Sequence, residues 1–79
     1  MDTRLETRHW VIVAPAGALT QLAVPQPLIH TIAPSEFEAW ARCWRAGFRT
    51  AHEHQGEMQV RLERDGYACR PARLVVDLV

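Results

Sequence analysis

The stretch that decides the fold is residues 35–48, SEFEAWARCWRAGF. Ser35 and Glu38 have the spacing of a capping box, in which each side chain accepts a hydrogen bond from the other residue's backbone N–H at the start of a helix. Apolar side chains then recur every three or four residues, which indicates a helix with one buried face. The sequence therefore predicts a main core helix over residues 36–53, ended by Gly56. The predicted buried face consists of Phe37, Trp40, Ala41, Trp44, Phe48 and Ala51.

Two strands are predicted on either side of the pair Asp65-Gly66. Residues 57–64 alternate between apolar and polar side chains, which favours a strand with one buried face. An Asp-Gly pair is a strong short-range hairpin signal, because a type I′ turn needs positive φ at both central residues. Residues 67–71 then form the return strand, and Pro71 either ends its pairing or places it at a sheet edge.

The third strand comes from the N-terminal part of the chain. Residues 8–14 are β-branched and aromatic on both faces, which suits a central strand covered on both sides. We therefore expect a single α+β domain over residues 1–79, with a three-stranded antiparallel sheet, the main helix packed across it and one or two short helices. The predicted core joins the aromatic residues of the helix to residues of two strands: Phe37, Trp40, Trp44, Phe48, Val11, Val13, Val60 and Leu62.

The remaining segments give weaker signals. Residues 1–7 alternate in charge and are predicted to form a loose arm. Prolines interrupt residues 16–34, so we expect an irregular connection there, with one or two helical turns over 18–23. Residues 73–79 fit either a short final helix opened by Pro71 or a further strand. The connection is expected to place three apolar side chains in the core: Leu28, Ile29 and Ile32.

Composition argues against several classes of protein. A chain of 79 residues has room for one modest core and little room for an enclosed active site. Nine arginines balance nine acidic residues, which argues against a dedicated nucleic-acid binder and equally against a uniformly acidic DNA mimic. The apolar stretch Val11–Leu19 is broken by Pro15 and Gly17 and is too short to span a bilayer. With no export signal apparent, we expect a cytoplasmic protein with reduced thiols.

No set of catalytic or metal-binding residues stands out. His52, Glu53 and His54 form the cluster most similar to a metal site. Residues two apart on a helix point to nearly opposite sides, so these histidines cannot share a metal there, and a solvated helix end explains them better. No nucleophile and base have a catalytic spacing, and no glycine-rich phosphate loop is present. We therefore predict no enzymatic activity, no cofactor and no metal.

The two cysteines differ in their expected environments. Cys43 is predicted to be a half-buried residue on the flank of the main helix. Cys69 lies on the predicted return strand beside Arg70, whose charge would favour the thiolate. At a sheet edge Cys69 could meet its copy on a second molecule, whereas a two-residue turn would point it toward the core. Cys69 is accordingly predicted to be the more reactive thiol.

Two charged surfaces are candidate binding sites, and for each the alternative is an ordinary solvated face. One is an arginine ridge on the outer face of the helix, partly neutralised by Glu38, which could contact nucleic-acid phosphates. The ridge consists of Arg42, Arg45 and Arg49. The other is an acidic strip along the predicted hairpin, which could oppose a basic, nucleic-acid-binding groove on a partner. The strip consists of Glu53, Glu57, Glu63 and Asp65.

Taken whole, the chain resembles small phage- or provirus-borne anti-CRISPR proteins that inhibit type I-C CRISPR-Cas systems. The resemblance rests on the length and on the HWVIVAP, SEFEAWARCWRAGF and RLERDGYAC segments. It implies antiparallel strands surrounded by helices, binding to the type I-C Cascade surveillance complex, and blockade of target DNA. It also implies that Cys69 could link two copies through a disulfide, so a monomer or a Cys69-linked homodimer is expected. The alternative is a small DNA- or RNA-binding regulator that uses the arginine ridge.

Overall fold

The computed structural model describes residues 9–17 and 24–72, and these form a sheet with two helices on one face. The predictions for residues 1–7, 18–23 and 73–79 lie outside the described residues. In chain order the elements are β1 (Trp10–Ala14), β2 (Gln26–Ala33), α1 (Glu36–Cys43), α2 (Gln55–Arg64) and β3 (Ala68–Pro71).

Strand β1 lies at the centre of a three-stranded antiparallel sheet, between β2 and β3. Successive side chains point to opposite faces of a strand. Ile12 packs beneath the helices, whereas Val11 packs on the other face against Ala72. Val11 and Ile12 are both fully buried. The predicted α+β class, the three-stranded antiparallel sheet and the central position of the first strand are therefore confirmed.

Strand β2 takes the place of the predicted irregular connection. Between the pairs Trp10–Ala33 and Ile12–Leu28, four residues of β2 lie opposite one residue of β1. The extra residues form a bulge, which bends a strand and turns side chains away from their regular positions. Leu28 remains buried, but Ile29 is 56% exposed. The prediction that Ile29 enters the core is wrong because the bulge directs it to solvent.

The buried side chain of Thr31 closes this bulge from inside. Its hydroxyl accepts a hydrogen bond from the backbone N–H of Ile12 at 2.8 Å and donates one to the carbonyl of Leu28 at 2.6 Å. Thr31 is fully buried. Buried backbone groups need a partner, and the hydroxyl supplies one where the regular ladder is interrupted.

Helix α1 begins as predicted but ends earlier. The Ser35 hydroxyl accepts a hydrogen bond from the Glu38 N–H at 3.1 Å, which confirms the serine half of the predicted capping box. The Glu38 carboxylate pairs with Arg45 in place of the expected reciprocal bond. The helix then passes into a wider, π-type turn over Trp44–Phe48. Gly47 adopts a φ of 106°, which is readily available to glycine, and the helical path ends there. The predicted helix over residues 36–53 is therefore too long.

The face of α1 that packs on the sheet also differs from the predicted face. It is centred on Ala39, Trp40 and Cys43. Trp40 and Ala41 of the predicted face are buried as predicted. At 3.6 residues per turn, this centre lies roughly 100° around the helix from the predicted stripe. Phe37 is consequently 71% exposed, and its predicted place in the core is wrong. Trp44 and Phe48 are half-buried at the margin of the core.

The predicted first strand of the hairpin is helix α2. Its sequence, QGEMQVRLER, is rich in strong helix formers. Met58 and Leu62 are one helical turn apart and buried, whereas Val60 is 55% exposed. Three alternating apolar residues fit a strand, but the two buried ones fit a helix equally well. Both the strand over residues 57–64 and the core position of Val60 are wrong.

The Asp65-Gly66 pair ends α2 and leads into β3. The Gly66 N–H donates to the carbonyl of Glu63 at 3.1 Å, and the Tyr67 N–H donates to the carbonyl of Leu62 at 2.9 Å. These two bonds define a Schellman motif, in which the residue after the helix has positive φ. Gly66 has a φ of 105°. The predicted type I′ hairpin turn is therefore wrong, because Asp65 has a φ of −84° and the chain reverses from a helix into a strand.

Candidate functional site

A salt bridge between Glu53 and Arg61 holds the segment that joins α1 and its π-type turn to α2, residues 49–54, which we call the linker. Arg61 Nε donates to one carboxylate oxygen of Glu53 at 2.8 Å, and Arg61 Nη2 donates to the other at 2.9 Å. The same Nη2 donates to the backbone carbonyl of Phe48 at 2.6 Å. The Glu53 side chain is only 11% exposed. This member of the predicted acidic strip therefore has its carboxylate engaged inside the protein.

Further contacts to the linker reinforce the salt bridge. The Thr50 N–H donates to Glu53 Oε1 at 2.8 Å, and Trp44 Nε1 donates to the Glu53 backbone carbonyl at 3.1 Å. The guanidinium of Arg49 lies over the Trp44 ring, 4.7 Å from its centroid. The Arg61 guanidinium, aided by the Thr50 N–H, lowers the pKa of Glu53 to about 2. Glu53 is thus charged throughout the neutral pH range.

The other three residues of the acidic strip lie at the surface of α2 and its C-terminal end. Glu57, Glu63 and Asp65 are exposed. Glu57 also accepts a hydrogen bond from the backbone N–H of His54 at 3.1 Å, the reciprocal bond of a capping box. Val60 lies three residues from both Glu57 and Glu63, so the three share one side of the helix. We call Glu57, Val60 and Glu63 the acidic face of α2.

The arginine ridge is engaged in contacts within the protein. Arg42 Nη1 donates to the backbone carbonyl of Ile32, and Arg42 Nε lies 3.6 Å from a carboxylate oxygen of Glu38. Arg45 Nη2 donates to the same oxygen at 2.7 Å. The Arg45 guanidinium, with a further contribution from Arg42, lowers the pKa of Glu38. Glu38 therefore offsets part of the positive charge that a nucleic-acid phosphate would contact.

Both cysteines are free and pack against the core below the helices. Cys43 is fully buried and not half-buried as predicted, whereas Cys69 is half-buried. Burial raises the pKa of each thiol to about 11. For Cys69 the nearby carboxylates of Glu36 and Glu63 raise the pKa further. The prediction that Arg70 would favour the Cys69 thiolate is therefore wrong, because burial and negative charge outweigh it.

The described surface contains an open hollow of about 380 Å³ in the linker. It is lined by Arg49, Thr50, Ala51 and His52. Within residues 9–17 and 24–72, no three His, Cys, Asp or Glu side chains are grouped so that they could hold a metal ion. In the same part of the chain, no helix is long and apolar enough to cross a membrane.

Comparison with protein-family models, with curated proteins and with solved structures gave no match to this chain. The candidate site is therefore defined by its own residues. Two described surfaces are candidates for binding a partner. The acidic face of α2 is exposed. The guanidinium groups of the arginine ridge contact Glu38, Ile32 and Trp44.

Two residues that shape this surface were missed by sequence reasoning. Arg61 pairs with Glu53 from eight positions away, and no short-range pattern indicates such a pairing. Phe37 is exposed although it fits the apolar stripe of the helix. The position of Phe37 was a signal. It lies in the first turn of α1, where no earlier turn of the helix stands beside its side chain.

Proposed function

We propose that this protein is an anti-CRISPR inhibitor that binds the type I-C Cascade complex in the cytoplasm of a bacterial cell and blocks target-DNA binding without chemistry of its own. The choice of partner follows the resemblance to type I-C anti-CRISPR proteins. The observation that carries the proposal is the division of charge on the surface. Glu57, Glu63 and Asp65 are exposed and carry no ion pair to an arginine, whereas the partly exposed Arg42 and Arg45 are paired with Glu38 among the described residues.

The electrostatics explain how such a surface would inhibit. A complex that holds RNA and DNA does so largely through basic residues that contact phosphates. An exposed row of carboxylates can occupy the same basic residues and thereby exclude DNA. The net charge of zero restricts this mimicry to one side of the protein. The acidic face of α2, extended by Asp65, is the described surface that best meets the requirement.

A gel-shift assay with labelled target DNA and type I-C Cascade tests the proposal. Wild-type protein should abolish the Cascade-dependent shift and leave free DNA unmoved. The double variant Glu57→Gln/Glu63→Gln should need an about tenfold higher concentration for the same inhibition, because it removes two charges from the contact. Glutamine at position 57 can still accept the capping hydrogen bond, so the fold should be retained.

Arg64→Gln is the control of opposite sign, since it removes one positive charge from the exposed part of α2, where the double variant removes two negative charges. It should leave inhibition unchanged or strengthen it. A shift of free DNA by the protein alone, falling steeply with salt, would instead support a nucleic-acid-binding regulator that uses the arginine ridge. A Cascade shift that persists at saturating wild-type protein would exclude the inhibitor function.

A further inference from the structure

The hollow in the linker is lined by residues that donate hydrogen bonds and carry positive charge. Its lining consists of Arg49, Thr50, Ala51 and His52, and all four residues are exposed. The guanidinium of Arg49 is always charged, and an imidazole has an N–H to donate in either of its protonation states. None of the four lining residues has a carboxylate. The chemistry of the lining therefore favours an anion in the hollow.

Trp44 fixes both ends of this lining. The guanidinium of Arg49 lies over the Trp44 ring, 4.7 Å from its centroid, and the indole N–H donates to the backbone carbonyl of Glu53 at 3.1 Å. Between these two contacts, the Glu53 N–H donates to the carbonyl of Thr50 at 3.0 Å and closes a turn. Stacking occupies the face of a guanidinium, whereas its N–H donors point outward in the plane. The hollow and the donors of Arg49 are thus in place before a ligand binds.

The carboxylates near the arginines of this region are neutralised within the protein. Glu53 accepts two hydrogen bonds from Arg61 and one from the Thr50 N–H. Arg42 and Arg45 share the carboxylate of Glu38. Arg49, in contrast, forms no ion pair with any residue of the ranges 9–17 and 24–72. Within these ranges, Arg49 is therefore the member of the arginine ridge whose charge is available to an external anion.

We propose that the hollow binds a phosphate group, either inorganic phosphate or the phosphate of a small phosphomonoester. Such a group presents at least three strong acceptor oxygens. It can accept two parallel hydrogen bonds from the Arg49 guanidinium and a further one from the His52 imidazole. A carboxylate has two oxygens, and the guanidinium fork engages both. This site goes beyond the proposed inhibitor function and does not depend on it.

A nucleic-acid strand fits the surroundings of the hollow less well than a small phosphate. A strand carries further phosphates on both sides of any one that it places in the hollow. Helix α2 begins directly after the linker, and the exposed Glu57 in its first turn accepts a hydrogen bond from the His54 N–H at 3.1 Å. The Glu57 carboxylate therefore lies against the end of the linker, where it would repel a neighbouring phosphate. A single phosphate group avoids this contact.

Two-dimensional NMR of isotope-labelled protein tests the site. Sodium phosphate should shift the amide signals of residues 49–52 and the indole signal of Trp44 along a saturable curve, whereas sodium chloride at equal ionic strength should not. Arg49→Gln should weaken phosphate binding by about tenfold, since it removes a bidentate, charge-assisted contact. Arg64→Gln is the matched control, because it removes the charge of another exposed arginine, on α2, and should change the affinity by less than about twofold.

A second variant keeps the test decisive if Arg49→Gln is destabilised by loss of its contact with Trp44. Arg49→Lys retains a cation that can lie over the ring but lacks the planar fork, so it should fold and should bind phosphate more weakly than the wild type. Phosphate binding by folded Arg49→Gln protein that equals wild-type binding would refute the site. A response to chloride as large as the response to phosphate would refute it equally.

Two further ligands separate the possible sources of the phosphate. Glycerol 3-phosphate represents a phosphomonoester, and whichever of it and inorganic phosphate binds more tightly is the closer model of the ligand. A single-stranded oligonucleotide without terminal phosphates represents nucleic acid and should bind more weakly than both. Tighter binding of the oligonucleotide through residues 49–52 would overturn the assignment to a small phosphate.

Discussion

Phe37, Trp40 and Trp44 lie on consecutive turns of one helical segment and meet three different environments. Trp40 is almost completely buried in the core between the sheet and the helices. Trp44 is half-buried, and its indole N–H bonds to the carbonyl of Glu53 in the linker. Phe37 extends into solvent. The rotation of α1 about its own axis therefore decides which aromatic residue stabilises the fold.

Substituting these residues with alanine tests the rotation of the helix. Trp40→Ala should lower the free energy of unfolding by about 3–5 kcal/mol, since it removes a buried indole and leaves a cavity. Phe37→Ala should change it by less than about 0.5 kcal/mol, because the ring is exposed. Trp44→Ala should lie between the two. Urea denaturation followed by circular dichroism measures all three, and an equal loss for Phe37→Ala and Trp40→Ala would contradict the observed helix face.

At the scale of secondary-structure elements, β2 and the linker are each held by an arginine. Strand β2 forms one edge of the described sheet, and its bulge interrupts the regular ladder. Arg42 further occupies the carbonyl of Ile32 on this strand. Bulges and charged side chains are common means of preventing edge-to-edge association. Arg61 also occupies a backbone carbonyl, in this case that of Phe48, and joins it to the Glu53 carboxylate of the linker.

The Glu53–Arg61 pair predicts a particular dependence of stability on pH. The ordinary pKa of a glutamate is about 4.5, and Arg61 lowers that of Glu53 to about 2 in the folded protein. A carboxylate with a lowered folded-state pKa stabilises the protein fully above its ordinary pKa and loses this effect as the pH falls toward the folded-state value. Glu53→Gln should therefore be less stable at neutral pH and should lose less stability between about pH 5 and pH 2.

Urea denaturation across this pH range measures the effect. Arg61→Gln is the reciprocal variant. The loss of stability in the double variant should not exceed the sum of the two single losses, because each single variant already breaks the pair. Identical slopes of stability against pH for wild-type protein and Glu53→Gln would show that the salt bridge does not form in solution.

At the scale of the whole molecule, the two faces of the sheet and its two edges have different surroundings. The helices cover the face that carries Ile12, while Val11 and Ala72 pack together on the other face. At the β3 edge, Cys69 is half-buried and pairs across the ladder with Ile12. Cys43 is enclosed beneath α1. Cys69 is therefore the more exposed of the two thiols, although its position opposite Ile12 places it on the face of the sheet that the helices cover.

We propose that an added two-electron thiol oxidant such as diamide links two molecules slowly through Cys69, taking up the two electrons and two protons that the thiols lose as the S–S bond forms. Cys69→Ser should abolish the dimer band on a non-reducing gel, whereas Cys43→Ser should retain it. Since the thiolate is the reactive form and the pKa of Cys69 is raised to about 11, the rate of crosslinking should increase as the pH rises from 7 toward that value. Inhibition of Cascade should not depend on the crosslink under reducing conditions. A dimer band that survives loss of Cys69 and disappears with loss of Cys43 would contradict the observed burial.

Local features of this protein could be predicted from its sequence. The Ser35 cap, the strand around Ile12 and the turn with positive φ at Gly66 each depend on residues close together in the chain. Such signals survive because a cap, a β-branched run or a glycine turn restricts the backbone before any tertiary contact forms. The class of fold and the number of antiparallel strands were predicted correctly, but the predicted third strand over residues 57–64 is helix α2 and its place is taken by β2. The exposure of Glu57 and Glu63 was also predicted, although from a strand alternation that this helix does not have.

Tertiary structure decided the features that depend on distant residues. Residues 57–64 carry apolar side chains compatible with either a strand or a helix, and burial of Met58 and Leu62 against the sheet makes them a helix. Glu53 is withdrawn from the acidic strip because Arg61, on the next helix, reaches its carboxylate. Sequence by itself therefore determined where α1 begins, where the central strand lies and where a glycine turns the chain. Only packing decided which side of each helix is buried and which charges remain at the surface, because both depend on contacts between residues far apart in the chain.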